Sequence, residues 1–225
     1  MREITLNAKQ ITMKHYTRKE LDMLEKRRRI NLVNSLSGYK PANLIGTMSA
    51  AKQTNLAIFS SVLHLGTTPP LFGFVTRTTG DVPRHTYENI VETGVYTINH
   101  VHESFVEKAH FTSAKFGRET SEFAACQLTE EYLDGFDAPF VKESVIKLGL
   151  EFVEEIPIKL NGTILIIGQL QHLIMPESSL LKDGNVDLHA AGGSCISGLD
   201  GYHRVERAYR FPFARPSSIP DFDQL

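Results

Sequence analysis

Asn43-Leu44-Ile45-Gly46-Thr47-Met48-Ser49 opens the stretch that decides the fold. Residues 56–65, 71–76 and 95–99 follow, each short, rich in Leu, Ile, Val, Phe and Thr, and bounded by turn residues. That texture predicts strands. Between the last two, residues 83–94 read as a loop and then a short helix over 87–92. Residues 103–116 predict a helix with Phe105, Val106 and Ala109 to one side, and 135–140 a loop closed by Pro139. Strands then return. Residues 145–153 place Ile146, Leu148, Leu150 and Phe152 on one face. Residues 156–160 and 163–174 form a hairpin about Asn161-Gly162, the favoured type I′ pair. Closely spaced strands with few helices between them predict a mostly β, antiparallel barrel or sandwich rather than a doubly wound sheet.

The flanks read differently. Residues 1–16 suggest an arm or edge strand. Thr17-Arg18-Lys19-Glu20 is a capping box, and the helix it starts carries Leu21, Met23 and Leu24. Its basic run Lys26-Arg27-Arg28-Arg29 suits a last helical turn, with a stop before Ser37-Gly38. Beyond Pro176 comes a loop segment. From Phe211 onward Pro212, Pro216 and Pro220 bar a helix, so the tail wraps a partner surface or frays. One domain is expected: arm and helix over 1–34, barrel over 35–175, extension over 176–225.

Composition narrows the partners. The 225 residues include 24 Lys and Arg against 26 Asp and Glu, so no basic excess points to nucleic acid. The longest apolar run, Ile164-Leu165-Ile166-Ile167, is far short of the roughly 20 residues a membrane span needs, and no leader peptide is apparent. Neither nucleic acid nor membrane is expected as a partner. Cys126 and Cys195 make neither a disulfide framework nor a zinc set, which places the protein in the cytoplasm with reduced thiols. The chain has no GxSxG, HExxH, GxxxxGK[ST] or strand-borne GxGxxG. His100-Val101-His102 lacks a third ligand at a recognisable spacing, so no metal site is assigned, and Gly192-Gly193-Ser194 reads as a plain turn.

One ordered series says more. It runs Leu44–Ser49, then Gln53-Thr54-Asn55-Leu56-Ala57-Ile58-Phe59-Ser60-Ser61, then Thr67-Thr68-Pro69-Pro70 and an apolar strand ending in Arg77. Arg84-His85-Thr86-Tyr87-Glu88-Asn89-Ile90 and Gly94-Val95-Tyr96-Thr97-Ile98-Asn99 come next, followed by Ala109-His110-Phe111-Thr112, Ser121-Glu122-Phe123 and Ile167-Gly168-Gln169-Leu170. Over about residues 35–175 this order resembles the flavin reductase-like family of FMN-binding split β-barrels. The resemblance implies a six-stranded Greek-key split β-barrel with peripheral helices. It also implies a homodimer with the flavin near the subunit interface, and FMN, in preference to FAD, as cofactor.

The residues suit that assignment. A flavin ring needs a flat slot of backbone, which Thr47-Met48-Ser49 and Asn55-Leu56-Ala57 offer beside small side chains. A ribityl phosphate needs hydroxyls, N–H groups and a forked cation, which Ser60, Ser61, Arg77, Arg84, His85 and Thr86 supply. Thr86 is also a candidate N-cap, so a phosphate there meets a helix N-terminus. Without the family, Ser60 and Ser61 are ladder residues, Arg84 a solvated charge, Asn55 a turn residue and His110 a packed or exposed histidine. The resemblance brings His110 to the rim of the site, as a candidate catalytic residue.

There is one departure. Where many members of the family carry Asp-His before the late strand, with the imidazole close to the nicotinamide, this chain has Gly162-Thr163. Thr163 cannot titrate near neutral pH. His203 is then the candidate to enter the site from the C-terminal segment, with Tyr202 covering a ring. The resemblance implies an oxidoreductase that passes electrons from NAD(P)H through flavin to a small-molecule or protein acceptor: free flavin, a ferric complex or a partner oxygenase. Gly162-Thr163 supports the alternative of a flavin-binding electron carrier with little NAD(P)H reactivity.

Overall fold

The computed structural model of the chain describes residues 12–77, 80, 82–206 and 209–222. In chain order its helices are α1 (Arg18–Met23), α2 (Lys26–Ser35), α3 (His85–Thr93), α4 (Val106–Phe111) and α5 (Glu122–Ala125). Its strands are β1 (Lys40–Pro41), β2 (Asn43–Met48), β3 (Thr54–Phe59), β4 (Leu63–Thr67), β5 (Pro70–Arg77), β6 (Val95–His100), β7 (Glu130–Leu133), β8 (Phe136–Val141), β9 (Lys147–Ile158), β10 (Thr163–Ile174), β11 (Ser194–Ser197) and β12 (Gly201–Arg204).

Seven strands make the main sheet, in the order β3-β2-β6-β9-β10-β5-β4, and every neighbouring pair is antiparallel. β3 and β4 are its two edges, yet only residues 60–62 join them. Four peptide steps span at most about 14 Å, so the sheet must roll until its edges approach. They do not pair with each other, and the barrel stays split. Ladder pairing of β4 with β5 stops at Leu63↔Gly73. Beyond it the Ser61 hydroxyl takes the place of a strand, donating to Val75 O at 3.0 Å and accepting from Val75 N at 3.1 Å.

Alternation along β2 explains why all six of its residues are buried. Ile45 points into the barrel with Phe74, Tyr96, Ile98, Leu150 and Ile166. Leu44 points the other way, to Leu56, Phe105, Ala109 and Phe123 under α4 and α5. β8 crosses β2 so closely that a Cβ on Gly46 would strike the Pro139 carbonyl. The same carbonyl accepts from Thr97 Oγ1 at 2.7 Å, and Asn99 Oδ1 accepts from Val141 N at 3.0 Å.

Several expectations are corrected. The segment 56–65 is two strands, broken where the sheet changes edge, and 145–153 and 156–160 are one, so the main sheet has seven strands where the resemblance implies a barrel of six. Residues 136–141 are β8 and not a loop: Asp134-Gly135 is the turn, with Gly135 at φ 78°, and β7 and β8 pair. β9 runs unbroken to Ile158, and among residues 159–162 only Gly162 has positive φ. The turn is therefore not type I′, and Asn161 Oδ1 accepts from Thr163 N and Oγ1 instead. The expected helix over 103–116 is a 3-10 turn (Glu103–Phe105) followed by α4, after which the chain loops to α5.

At the N-terminus the capping box on Thr17 forms, but α1 ends at Met23. Glu25 starts a new helix by accepting from Arg27 N at 2.8 Å and Arg28 N at 3.0 Å, so the basic run stands in a first turn and not in a last one. Of the arm or edge strand expected over residues 1–16, residues 1–11 lie outside the described residues and 12–16 belong to no strand. Residues 209–222 are exposed and include the 3-10 turn Pro216–Ser218, while β11 and β12 of the extension form a three-stranded sheet with β1.

Ser61→Ala removes both hydrogen bonds at the seam and leaves two half-buried backbone groups open. The expected cost is about 1–2 kcal/mol, read as a lower urea midpoint with an unchanged slope.

Candidate functional site

The split leaves β3 as an edge strand, and it pairs only with β2. Residues of an antiparallel edge strand alternate between bonding the partner and facing away. Leu56 faces away, since its N–H goes to Glu122 Oε2 at 2.9 Å. Ile58, two residues on, presents its N–H and C=O to the same open side. That side is one wall of a cavity of about 880 Å³, closed opposite by the end of β5, the start of α3 and the loop from α4 to α5.

A buried polar clamp holds the start of α3 against the sheet. Asn55 Nδ2 donates to Thr47 Oγ1 at 3.2 Å and to Thr86 Oγ1 at 3.0 Å, and Asn89 Nδ2 donates to Thr47 Oγ1 at 3.1 Å. Thr86 is thus inside the helix and tied to β3; the N-cap is Arg84, and it makes no side-chain cap. Glu88 Oε1 accepts from Arg84 N at 3.3 Å, and among the described residues no side chain accepts from the N–H groups of His85, Thr86 or Tyr87, which carry the positive end of the dipole.

Around that helix end stand Arg77, Arg84, Lys115 and Arg118, while Ala57, Phe59, Val75 and Phe116 supply apolar wall. Arg118 is ion-paired with Glu88. Burial, with the Arg118 charge adding to it, pushes the His85 imidazole down, so this lining residue is neutral at neutral pH. Burial pushes the Glu122 carboxyl up, against the opposing hydrogen bonds from the N–H groups of Leu56 and of Glu122 itself. The arrangement joins a flat, half-apolar wall to a cationic end: it can hold an elongated ligand with an apolar body and an anionic terminus.

Residues 39–187 match the family described as flavin reductase like domain. The chain belongs to that family. A solved structure from Shewanella frigidimarina NCIMB 400, a split-barrel protein assigned to the flavin reductases, is 46% identical, with a TM-score of 0.86 over 90% of this chain and 100% of its own. Nitrilotriacetate monooxygenase component B from Bacillus cereus is 18% identical, with a TM-score of 0.78 over 89% of this chain and all of its own. Flavoredoxin of Desulfovibrio vulgaris (Miyazaki F) is 22% identical, with a TM-score of 0.69 over 79% of this chain and 92% of its own. These last two likenesses are of fold. The fold is the split barrel of the flavin reductases, and the family makes this chain a flavin-linked oxidoreductase.

Of the residues the sequence nominated, Asn55, Ala57, Arg77, Arg84, His85 and Thr86 line one cavity. Thr47 lies beneath it as an anchor of the clamp. Leu56 is core, and its contribution is the backbone N–H held by Glu122. Met48 is buried, Ser49 accepts from Gln53 N in the turn after β2, and Ser60 and Ser61 belong to the seam; none of these four is in the cavity lining. Neither is His110, whose Nδ1 lies 3.2 Å from Tyr202 Oη with the rings edge-on. His203 points to Ser197 Oγ at 2.8 Å and against Tyr39, because β12 pairs with β11 and not with the barrel. Sequence reasoning missed Lys115, Phe116, Arg118 and Glu122. The signal available was Gly117, directly after the expected helix, in the loop that carries three of them.

Because the folded-state pKa of Glu122 lies above its unfolded value, the native state holds an extra proton between the two. That contribution to stability is complete below the ordinary glutamate range and falls as pH rises through the raised value. Glu122→Gln removes it. Urea unfolding of the two proteins from about pH 4 to about pH 8 is expected to show the variant gaining on the wild type as pH rises.

Proposed function

We propose that the protein is an FMN-dependent oxidoreductase that draws electrons from NAD(P)H and delivers them to free flavin, a ferric complex or a partner oxygenase. One observation carries the reading: Asn55, Arg77, Arg84 and Thr86, from three separate segments, line a single cavity at the N-terminal end of α3. Their chemistry fits the cofactor. Arg77 and Arg84 would hold the phosphate with the first-turn N–H groups of α3. The open backbone of β3 at Ile58 would meet the polar edge of the ring, and Phe116 and Val75 would exclude water from its face. A single terminal phosphate suits FMN in preference to FAD. When bound, the flavin supplies the hydride and electron chemistry; the chain binds, orients and shields.

The working unit we propose is a homodimer. Val75 lines the cavity, and it continues across the ladder to Leu165 and Ile156 on the outer face of the barrel. A second copy seated there would complete the site. We place the protein in the cytoplasm on the ground of its free cysteines. Among the described residues no helix is long and apolar enough to cross a membrane.

One observation favours a second reading, that of a flavin-binding electron carrier. Thr163 lines the cavity where the family resemblance calls for an imidazole, and its hydroxyl is tied to Asn161 Oδ1 at 2.7 Å. Under anaerobic mixing with NADH and NADPH, the oxidoreductase reading expects the flavin band to bleach within seconds. No bleaching over many minutes would establish the carrier, and a colourless protein that takes up no added FMN would end both readings.

Arg77→Ala separates phosphate recognition from ring recognition. Losing one charge-assisted hydrogen bond is expected to weaken FMN binding about 10- to 100-fold while riboflavin binding stays unchanged, as read by fluorescence titration of the apoprotein.

A further inference from the structure

Helices α1 and α2 bury no residue. At six and ten residues they are shorter than the roughly 12–15 at which even a favourable helix is marginal alone in water. α2 is held at its C-terminal end, where Lys40 Nζ donates to Asn34 O at 3.0 Å and to Gly198 O at 3.2 Å. Ile30, Val33 and Leu36 recur every three residues, which puts them on one face, and all three are exposed, Leu36 by 70%. Lys26 and Arg27 head the same face one turn earlier.

Charge on this arm is lopsided. Residues 14–40 hold eight Lys or Arg and three acidic residues, whereas the whole chain holds 24 and 26; the acidic excess belongs to the body. The three carboxylates of the arm are engaged locally. Glu20 closes the capping box, Asp22 pairs with Arg18, and Glu25 caps α2.

A complementary surface lies on β9. Past the bulge opposite Ile167 and Gly168, Glu154 and Ile156 share the outer face with their partners Ile167 and Leu165. Val153 is 53% and Ile156 44% exposed. Glu151 and Glu154 are exposed beside them, and neither is in an ion pair among the described residues.

We propose that the arm of one copy docks on β9 of a second copy, the apolar stripe of α2 covering Val153 and Ile156 while Lys26 and Arg27 stand opposite Glu151 and Glu154. The inference rests on the homodimer reading and adds to it a contact made by residues outside the family domain. Burial of the stripe supplies the stabilisation that two short helices lack, and the charges fix its register.

The test is sedimentation equilibrium of the full chain. Lys26→Glu with Arg27→Glu, and separately Glu151→Lys with Glu154→Lys, are each expected to raise the dimer Kd about tenfold. The four changes together are expected to restore it, and added salt to weaken the wild-type dimer. A stable dimer indifferent to both reversals, or one the fourfold variant does not recover, overturns the docking alone. A wild type that stays monomeric overturns the dimer reading with it. Should reversal on the arm change only co-sedimentation with anionic phospholipid vesicles, the arm serves a membrane and the proposal fails.

Discussion

The short link between the two edges of the sheet is the constraint from which the site follows. Residues 60–62 must carry the chain from β3, at one edge, to β4, at the other. The sheet satisfies this by rolling, and rolling brings the free edge of β3 toward the end of β5. The cavity is the gap that remains where the edges approach without pairing. Ser61 shows how narrow the margin is. Its hydroxyl serves Val75 as both acceptor and donor, doing at one point what a continued strand would do along a row. Had the seam closed by a full ladder, Val75 and Arg77 would face a paired strand and no hollow would lie between them and β3.

A second constraint sets the electrostatics. Asn55 and Asn89 reach a common acceptor, Thr47, and Asn55 also holds Thr86 in the first turn of α3. Buried amide donors are costly unless satisfied, and those of Asn55 and Asn89 find their partners in this arrangement, which fixes the helix end relative to β3 although Asn89 Oδ1 has no partner among the described residues. Gly94 at φ 75° then stops the helix at its other end, with its N–H on Ile90 O. The positive end of α3 therefore faces the cavity for reasons that lie in the core. Arg77 and Arg84 add charge to a direction the backbone has already set.

Local pattern made most of the strands legible in the sequence, because alternation and turn residues act over a few positions. It also brought Asn55, Arg77 and Thr86 to one hollow through the order of motifs. What it missed depends on distant partners. Residues 56–65 look like one strand because nothing in them reveals that the sheet must change edge at Ser60. Glu122 is 66 residues from Leu56 along the chain, and only the packing of α5 on β3 joins them. The helix expected over 103–116 takes in Lys115 and Phe116 of the loop because Phe105, Val106 and Ala109 set a helical face ahead of them; Gly117 and Arg118 lie just past it. His110 was nominated by the resemblance and His203 for its imidazole, and neither ground fixes a side chain's direction: one turns to Tyr202, the other to Ser197. The basic run after Leu24 fitted a last turn until Glu25, one residue earlier, proved a better cap than the dipole is a guide.

Glu122 also bears on why the split is tolerated at all. An unpaired edge invites pairing with another chain, and the two edges of this sheet answer differently. β4 is five residues long and bulged between His64 and Gly66, which leaves little straight edge to extend. β3 is one residue longer and pairs with β2 without a bulge, and α5 lies against it with Glu122 occupying the Leu56 N–H. Burying that carboxyl costs stability, as its raised pKa records. The same contact takes one donor out of reach of any foreign strand and leaves Ile58 exposed only inside a hollow. An edge blocked at one residue and recessed at the next is a poor template for a strand, and it keeps its remaining backbone groups for a ligand small enough to enter.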